Sequence, residues 1–141
     1  MARWQKVGYL KAKSEDIAKI VPLVGINEAK ASLNDRARSY LDVNCGHCHH
    51  ANRPASTSGL YLNYEEKDPF HWEVLKSPVA VGMGAGSYLF DINPGKGKES
   101  ILIYRMNSVH PGVMMPKIGR VSIHKEGVVL EQWIDSLEKR K

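Results

Sequence analysis

The stretch Cys45-Gly46-His47-Cys48-His49 contains both cysteines of this 141-residue chain. Two thiols three positions apart can each add to one of the two vinyl groups along a haem edge. The residue that follows then offers an imidazole to the iron from the same side. Cys45 and Cys48 are thus candidate covalent anchors, and His49 is a candidate iron ligand. Other uses of the pair are weighed beside this one. A zinc site would need a second well-spaced pair of ligands, and His47, His49 and His50 do not supply one. A thioredoxin-type redox disulfide normally follows a strand and opens a helix, whereas this motif follows a helical pattern. Two inert core cysteines would not be expected among three histidines.

A second soft ligand could come from the segment Pro111-Gly112-Val113-Met114-Met115-Pro116-Lys117-Ile118-Gly119-Arg120. A methionine thioether suits haem iron, and a Met/His pair raises the reduction potential. Pro116 stiffens the loop that would present Met115. Met115 is the first candidate, Met114 the second, and His110 and His124 follow; Met83 and Met106 are not expected to bind.

These residues must be held by helices and loops. Asn34 reads as an N-cap with Asp35 in the first turn, and Leu33, Ala37, Tyr40 and Leu41 share a helical face that runs into the motif. Residues 51–59 read as a loop. Asp68-Pro69 opens a short helix through Trp72, Val74 and Leu75 that stops before Pro78. Residues 78–97 form a long Gly-rich loop without the strand-to-helix context of a phosphate-binding loop. A helix is expected over 99–107. A last one follows Ser122 and runs to about Lys139, burying Val129, Leu130, Trp133, Ile134 and Leu137.

Bulk properties fit one ordinary globular domain, with 43% apolar and 25% charged residues. No apolar run is long enough to span a bilayer. The net charge of +5 comes from scattered basic residues, which suits an acidic partner surface and gives no nucleic-acid signature. Residues 1–31, with Trp4, Tyr9, Ile17, Ile20 and Val24, read as an N-terminal arm packed on the domain formed by 32–141. The first residues lack the pattern of a secretory signal, and we expect a domain trimmed from a longer exported chain.

Over residues 35–137 the sequence resembles class I cytochrome c, and more narrowly a group of bacterial mono-haem c domains often attached to exported, quinoprotein-like dehydrogenases. The resemblance rests on the residues from Arg36 to His49 and on Pro78-Val79-Ala80-Val81-Gly82. It continues through Pro94-Gly95, the run from Ser100 to Met106, and Met114-Met115-Pro116 with Gly119-Arg120. Glu126-Gly127-Val128 and Trp133-Ile134 close it.

The resemblance implies a mainly α, cytochrome c-like fold of four to five helices around one haem c, with long Gly-rich loops. Cys45 and Cys48 would form the thioethers, and His49 and Met115 would be the axial ligands. The helix before the motif would cross the last one, Ala37 and Tyr40 meeting Leu130 and Trp133. Arg105 and Arg120 are candidate partners for the haem carboxylates. The His49 imidazole would donate its other N–H to a backbone carbonyl, the nearest proline carbonyl being that of Pro54.

The implied function is electron transfer rather than catalysis, between a dehydrogenase donor and a cytochrome or oxidase acceptor, in the periplasm or another extracytoplasmic setting. The alternatives are a five-coordinate haem enzyme, a sensor of gas or peroxide, and a zinc-binding interaction module.

Overall fold

A computed structural model describes residues 2–72, 74–79, 81–118 and 126–137. Among these residues the protein is mainly helical. The helices are α1 (Ala2–Lys6), α2 (Ser14–Ala18), α3 (Leu33–Leu41), α4 (Ile101–Asn107) and α5 (Gly127–Ser136). There is no β-strand among the described residues, only the isolated bridges Val74–Ile92 and Phe90–Ser100. No described helix is long and apolar enough to cross a membrane.

α3 begins two residues earlier than the expected cap, Asn34, suggests. Ser32 is the N-cap: its Oγ accepts from the Asp35 N–H at 3.0 Å and donates to the Asp35 carboxylate at 2.8 Å. This satisfies one of the helix's orphan amides and places a negative charge in its first turn. Asn34, expected as the cap, lies inside the helix, where its Oδ1 accepts from Trp133 Nε1–H at 3.1 Å. A partner distant in sequence has claimed the side chain that local rules assign to capping.

Ala37 and Leu41, four positions apart on α3, enter one core with Leu130, Trp133 and Ile134 of α5 and Leu102, Ile103 and Met106 of α4. Leu60, Leu62 and Ile92 complete it from extended segments. The crossing expected between the helix before the motif and the last helix is present, Tyr40 packing against the core's edge. A short turn, Gly97–Glu99, comes so close to α5 that a Cβ on Gly97 would lie 2.7 Å from the Glu131 carbonyl oxygen. The Gly97 N–H donates to the Asp135 carboxylate at 2.6 Å.

Arg38 is buried on the other side of α3. Its guanidinium lies 3.8 Å from the Trp72 ring centroid, and its Nη2 donates to the carbonyls of Asn63 (2.7 Å) and Glu66 (2.8 Å). Burial lowers its pKa to about 10, against the opposing pull of Glu66 and Asp42. The side chain straps the 63–66 loop to the helix that carries the motif.

The helix expected from Asp68-Pro69 does not form. Residues 69–72 make turns, Val74 bridges to Ile92, and Leu75 takes a left-handed conformation with φ 57°. Pairing with residue 92 competes with helix extension there and wins. α4 starts at Ile101, after the short turn, rather than at Glu99. α5 starts at Gly127, and the Ser122 cap and the Lys139 end lie outside the described residues. In the arm, the Val24 N–H donates to Ser39 Oγ (3.1 Å) and Arg36 Nε donates to the Ile26 carbonyl (2.6 Å). Ile17 and Val24 are half-buried, whereas Trp4, Tyr9 and Ile20 are exposed. The arm's contact with the domain is thus made by its C-terminal part.

Candidate functional site

The end of α3 widens into a π-helical turn, Asp42–Gly46, which delivers the motif. Such turns are frequent at functional sites. The Cys48 and His49 amides donate to the Cys45 carbonyl at 3.0 and 2.8 Å, so the motif folds as a single tight turn. It is tied onward by Ala55 N–H to the Cys48 carbonyl (3.1 Å) and by Leu62 N–H to the His49 carbonyl (2.9 Å). Gly46 is buried there, and a Cβ on it would meet Asp42 Oδ1 at 3.2 Å and the Asn63 backbone at 3.4 Å.

Cys45, Cys48 and His49 line a cavity of about 340 Å³, together with Met115 from a segment far along the chain. That volume lies in the range of roughly 300–1,000 Å³ typical of small-molecule and cofactor sites. Much of the wall is apolar, with Leu60, Leu62, Val81, Leu102 and Met106 among its residues. Its charged members are Asp91, Arg105 and Lys117. This donor set, two thiols and an imidazole on one turn and a thioether on another, would fit a covalently held haem. A flat apolar macrocycle with carboxylates at one edge also suits a wall that is mainly apolar but carries a guanidinium.

Cys45 and Cys48 are both free thiols. Burial, followed by the neighbouring Cys48, pushes the Cys45 thiol up to about 12. It stays protonated at neutral pH, which is the opposite of the activated thiolate that a dithiol–disulfide catalyst uses. Among the described residues, no group of three His, Cys, Asp or Glu side chains is arranged to hold a metal ion, as a zinc module would need.

His49 is oriented by Ser58, whose Oγ lies 3.4 Å from Nδ1. Ser58 commits its own proton to the Ala55 carbonyl at 2.7 Å and accepts from the Leu60 N–H at 3.2 Å. This contact fits the Nδ1–H tautomer of His49, the one in which Nε2 is the metal-binding nitrogen. The expected orienting carbonyl of Pro54 is thus replaced by a serine hydroxyl, and Pro54 instead lines the cavity. No periodicity marks Ser58; its only signal is a hydroxyl within the turn-forming run after the motif.

The loop that carries Met115 is built by His110 and Arg105. The Val113 and Met114 amides donate to the His110 carbonyl (2.9 and 2.8 Å), and the Gly112 N–H donates to His110 Nδ1 (3.1 Å). The Met115 N–H donates to the Arg105 carbonyl (3.1 Å), and Arg105 Nε donates to the Val113 carbonyl (2.9 Å). The Met115–Pro116 peptide is cis. Met115 lines the cavity, whereas Met114 and His110 are not among its walls. His110 is exposed and spends its Nδ1 on the turn. Met106, not expected as a ligand, lines the cavity from the buried side of α4. Met83 is exposed, and Arg120 and His124 lie outside the described residues.

Arg105 also lines the cavity. Burial lowers its pKa, against the pull of Asp91. Its guanidinium fits under Gly84, where a Cβ would come within 3.0 Å of Cζ.

No protein-family model matches the chain, and neither the curated proteins nor the solved structures include a significant match to it.

Proposed function

We propose that this protein is a mono-haem c-type electron carrier of the class I cytochrome c kind, working outside the cytoplasm between a dehydrogenase donor and a cytochrome or oxidase acceptor. One observation carries the reading: the Cys45-to-His49 turn and Met115, far apart in sequence, line a single cavity with largely apolar walls. When bound, the haem supplies an iron centre that gains and loses one electron without bond making at a substrate.

The chain's own residues hold and shield it. Cys45 and Cys48 are the covalent anchors on one rigid turn. His49 would present Nε2, with its Nδ1–H donating to Ser58 Oγ. Met115 is offered by a loop that Arg105 pins from two sides. Arg105, at the cavity wall, would pair with a haem carboxylate. The leucines of the wall and Met106 exclude water, which favours the less charged, reduced state. The scattered positive charge steers an acidic partner in transient encounters.

Intact-mass analysis of protein exported alongside haem-maturation machinery tests this. The expected mass gain is one haem, lost when Cys45→Ser and Cys48→Ser are combined. An unmodified mass in the native protein would overturn the reading.

A further inference from the structure

The tip of the N-terminal arm is folded with its apolar side chains outward. The Val7 N–H donates to the Arg3 carbonyl (3.1 Å), so the helical path of α1 continues to Val7, and Trp4 and Val7 fall on one face. Gly8, at φ 77°, reverses the chain, and the Tyr9 and Leu10 amides return to the Trp4 carbonyl at 3.0 and 3.1 Å. Gln5 closes the structure by donating its side-chain N–H to the Ala12 carbonyl at 2.8 Å. This compact turn nevertheless leaves Trp4 64% exposed, Val7 56% and Tyr9 88%.

The same segment is purely basic. Arg3, Lys6, Lys11 and Lys13 are all exposed, and no acidic residue occurs from 2 to 13. Lys13 is 3.8 Å from Glu15, just beyond the tip.

From this juxtaposition we propose that residues 3–11 form a membrane-surface contact for anionic lipid headgroups. Trp and Tyr are the side chains that settle at the boundary between headgroup and acyl chain, and Val7 adds apolar area between them. Arg3, Lys6 and Lys11 meet the negative surface. The size of the patch favours a bilayer over a protein. A stable protein interface takes about 20–30 residues a side, whereas interfacial anchoring works with a few aromatic and basic residues. The contact is peripheral and reversible, and it keeps the domain near a membrane.

The test uses the full-length, haem-loaded protein in co-sedimentation with two kinds of vesicle: phosphatidylcholine alone, and phosphatidylcholine mixed equally with phosphatidylglycerol. Binding is expected only to the anionic vesicles and should fall as salt is raised. Each neutralised basic residue of the tip should weaken partitioning about fivefold, the factor for about 1 kcal/mol per charge. Arg3→Gln, Lys6→Gln and Lys11→Gln together should therefore weaken it by about a hundredfold. Trp4→Ala with Tyr9→Ala should weaken it several-fold at unchanged charge. Both sets of side chains are exposed, so an unchanged circular-dichroism melt controls for folding. No binding to anionic vesicles would overturn the proposal. So would binding that ignores the aromatic pair and is matched on immobilised poly-glutamate, which would mark an acidic protein as the partner.

Discussion

Arg105 holds the Met115 loop at two points: the Met115 N–H donates to the Arg105 carbonyl at 3.1 Å, and Arg105 Nε donates to the carbonyl of Val113, two residues earlier, at 2.9 Å. The second bond depends on the side chain. Arg105→Leu should release the loop at Val113 while leaving the first bond possible. A charge-assisted hydrogen bond of this kind contributes about 1.5–3 kcal/mol. The expected result in the haem-loaded protein is a weakened sulfur-to-iron charge-transfer band and a lower melting temperature. Arg105→Lys should not restore the band, because an ammonium cannot donate along the Nε direction. An unchanged band in both variants would show that Met115 needs no such support.

Met115 itself divides the electron carrier from a five-coordinate enzyme or sensor. Met115→Ala should abolish the charge-transfer band and open a site that takes up cyanide or carbon monoxide. It should also lower the reduction potential, since a thioether ligand raises it. If the spectrum stays as in the native protein, the sixth ligand lies elsewhere, and Met106 is a second thioether in the wall of the same cavity.

Ser58 fixes the tautomer of His49 and adds to its basicity. Ser58→Ala should therefore make the imidazole a weaker donor to ferric iron and raise the potential, whereas Ser58→Thr should stay near the native value. Voltammetry of the three proteins gives the answer. Identical potentials for alanine and serine would remove Ser58 from the site's chemistry.

The Cys45 thiol gives the haem-free chain a defined alkaline weakness. Its pKa is raised from an ordinary 9.0 to about 12 by burial and by Cys48. The unfolded chain therefore loses this proton first. The stability tied to the protonated thiol is complete below about pH 9 and is lost as pH rises through about 12. Urea unfolding of the haem-free protein should show this decline, and Cys45→Ala should flatten it. The haem-loaded protein, with a thioether in place of the thiol, should not show it.

Gly97 tests the packing of the turn on α5. Gly97→Ala puts a Cβ 2.7 Å from a backbone oxygen of Glu131, which a side-chain rotation cannot relieve. A loss of about 1–3 kcal/mol is expected from overpacking of this sort. A native-like melting curve would mean that α5 can move away at little cost.

How far the sequence could be read depended on the range of the interactions involved. The Cys45-to-His49 spacing is a local pattern that can be read without tertiary information. The buried stripe of α5 followed from helical periodicity, with Leu130, Trp133 and Ile134 all in the core. Asn34 has the right chemistry for a cap, but Trp133 engages it from the last helix, and Ser32 caps instead. Asp68-Pro69 is a good helix start locally, yet the bridge between Val74 and Ile92 overrides it. Ser58 and Met106 have no pattern that marks them for the site; only the folded chain brings them to the cavity wall. The arm's apolar residues read alike in sequence, yet Ile17 and Val24 are half-buried while Trp4, Val7 and Tyr9, on the hydrogen-bonded tip, are exposed.

The most direct test of the central claim is a pyridine haemochrome spectrum of protein exported with haem-maturation machinery, taken before and after acid-acetone extraction. The account predicts a c-type spectrum that survives extraction at one haem per chain. A spectrum that is lost on extraction, or absent while a control cytochrome matures normally, would contradict covalent haem at Cys45 and Cys48.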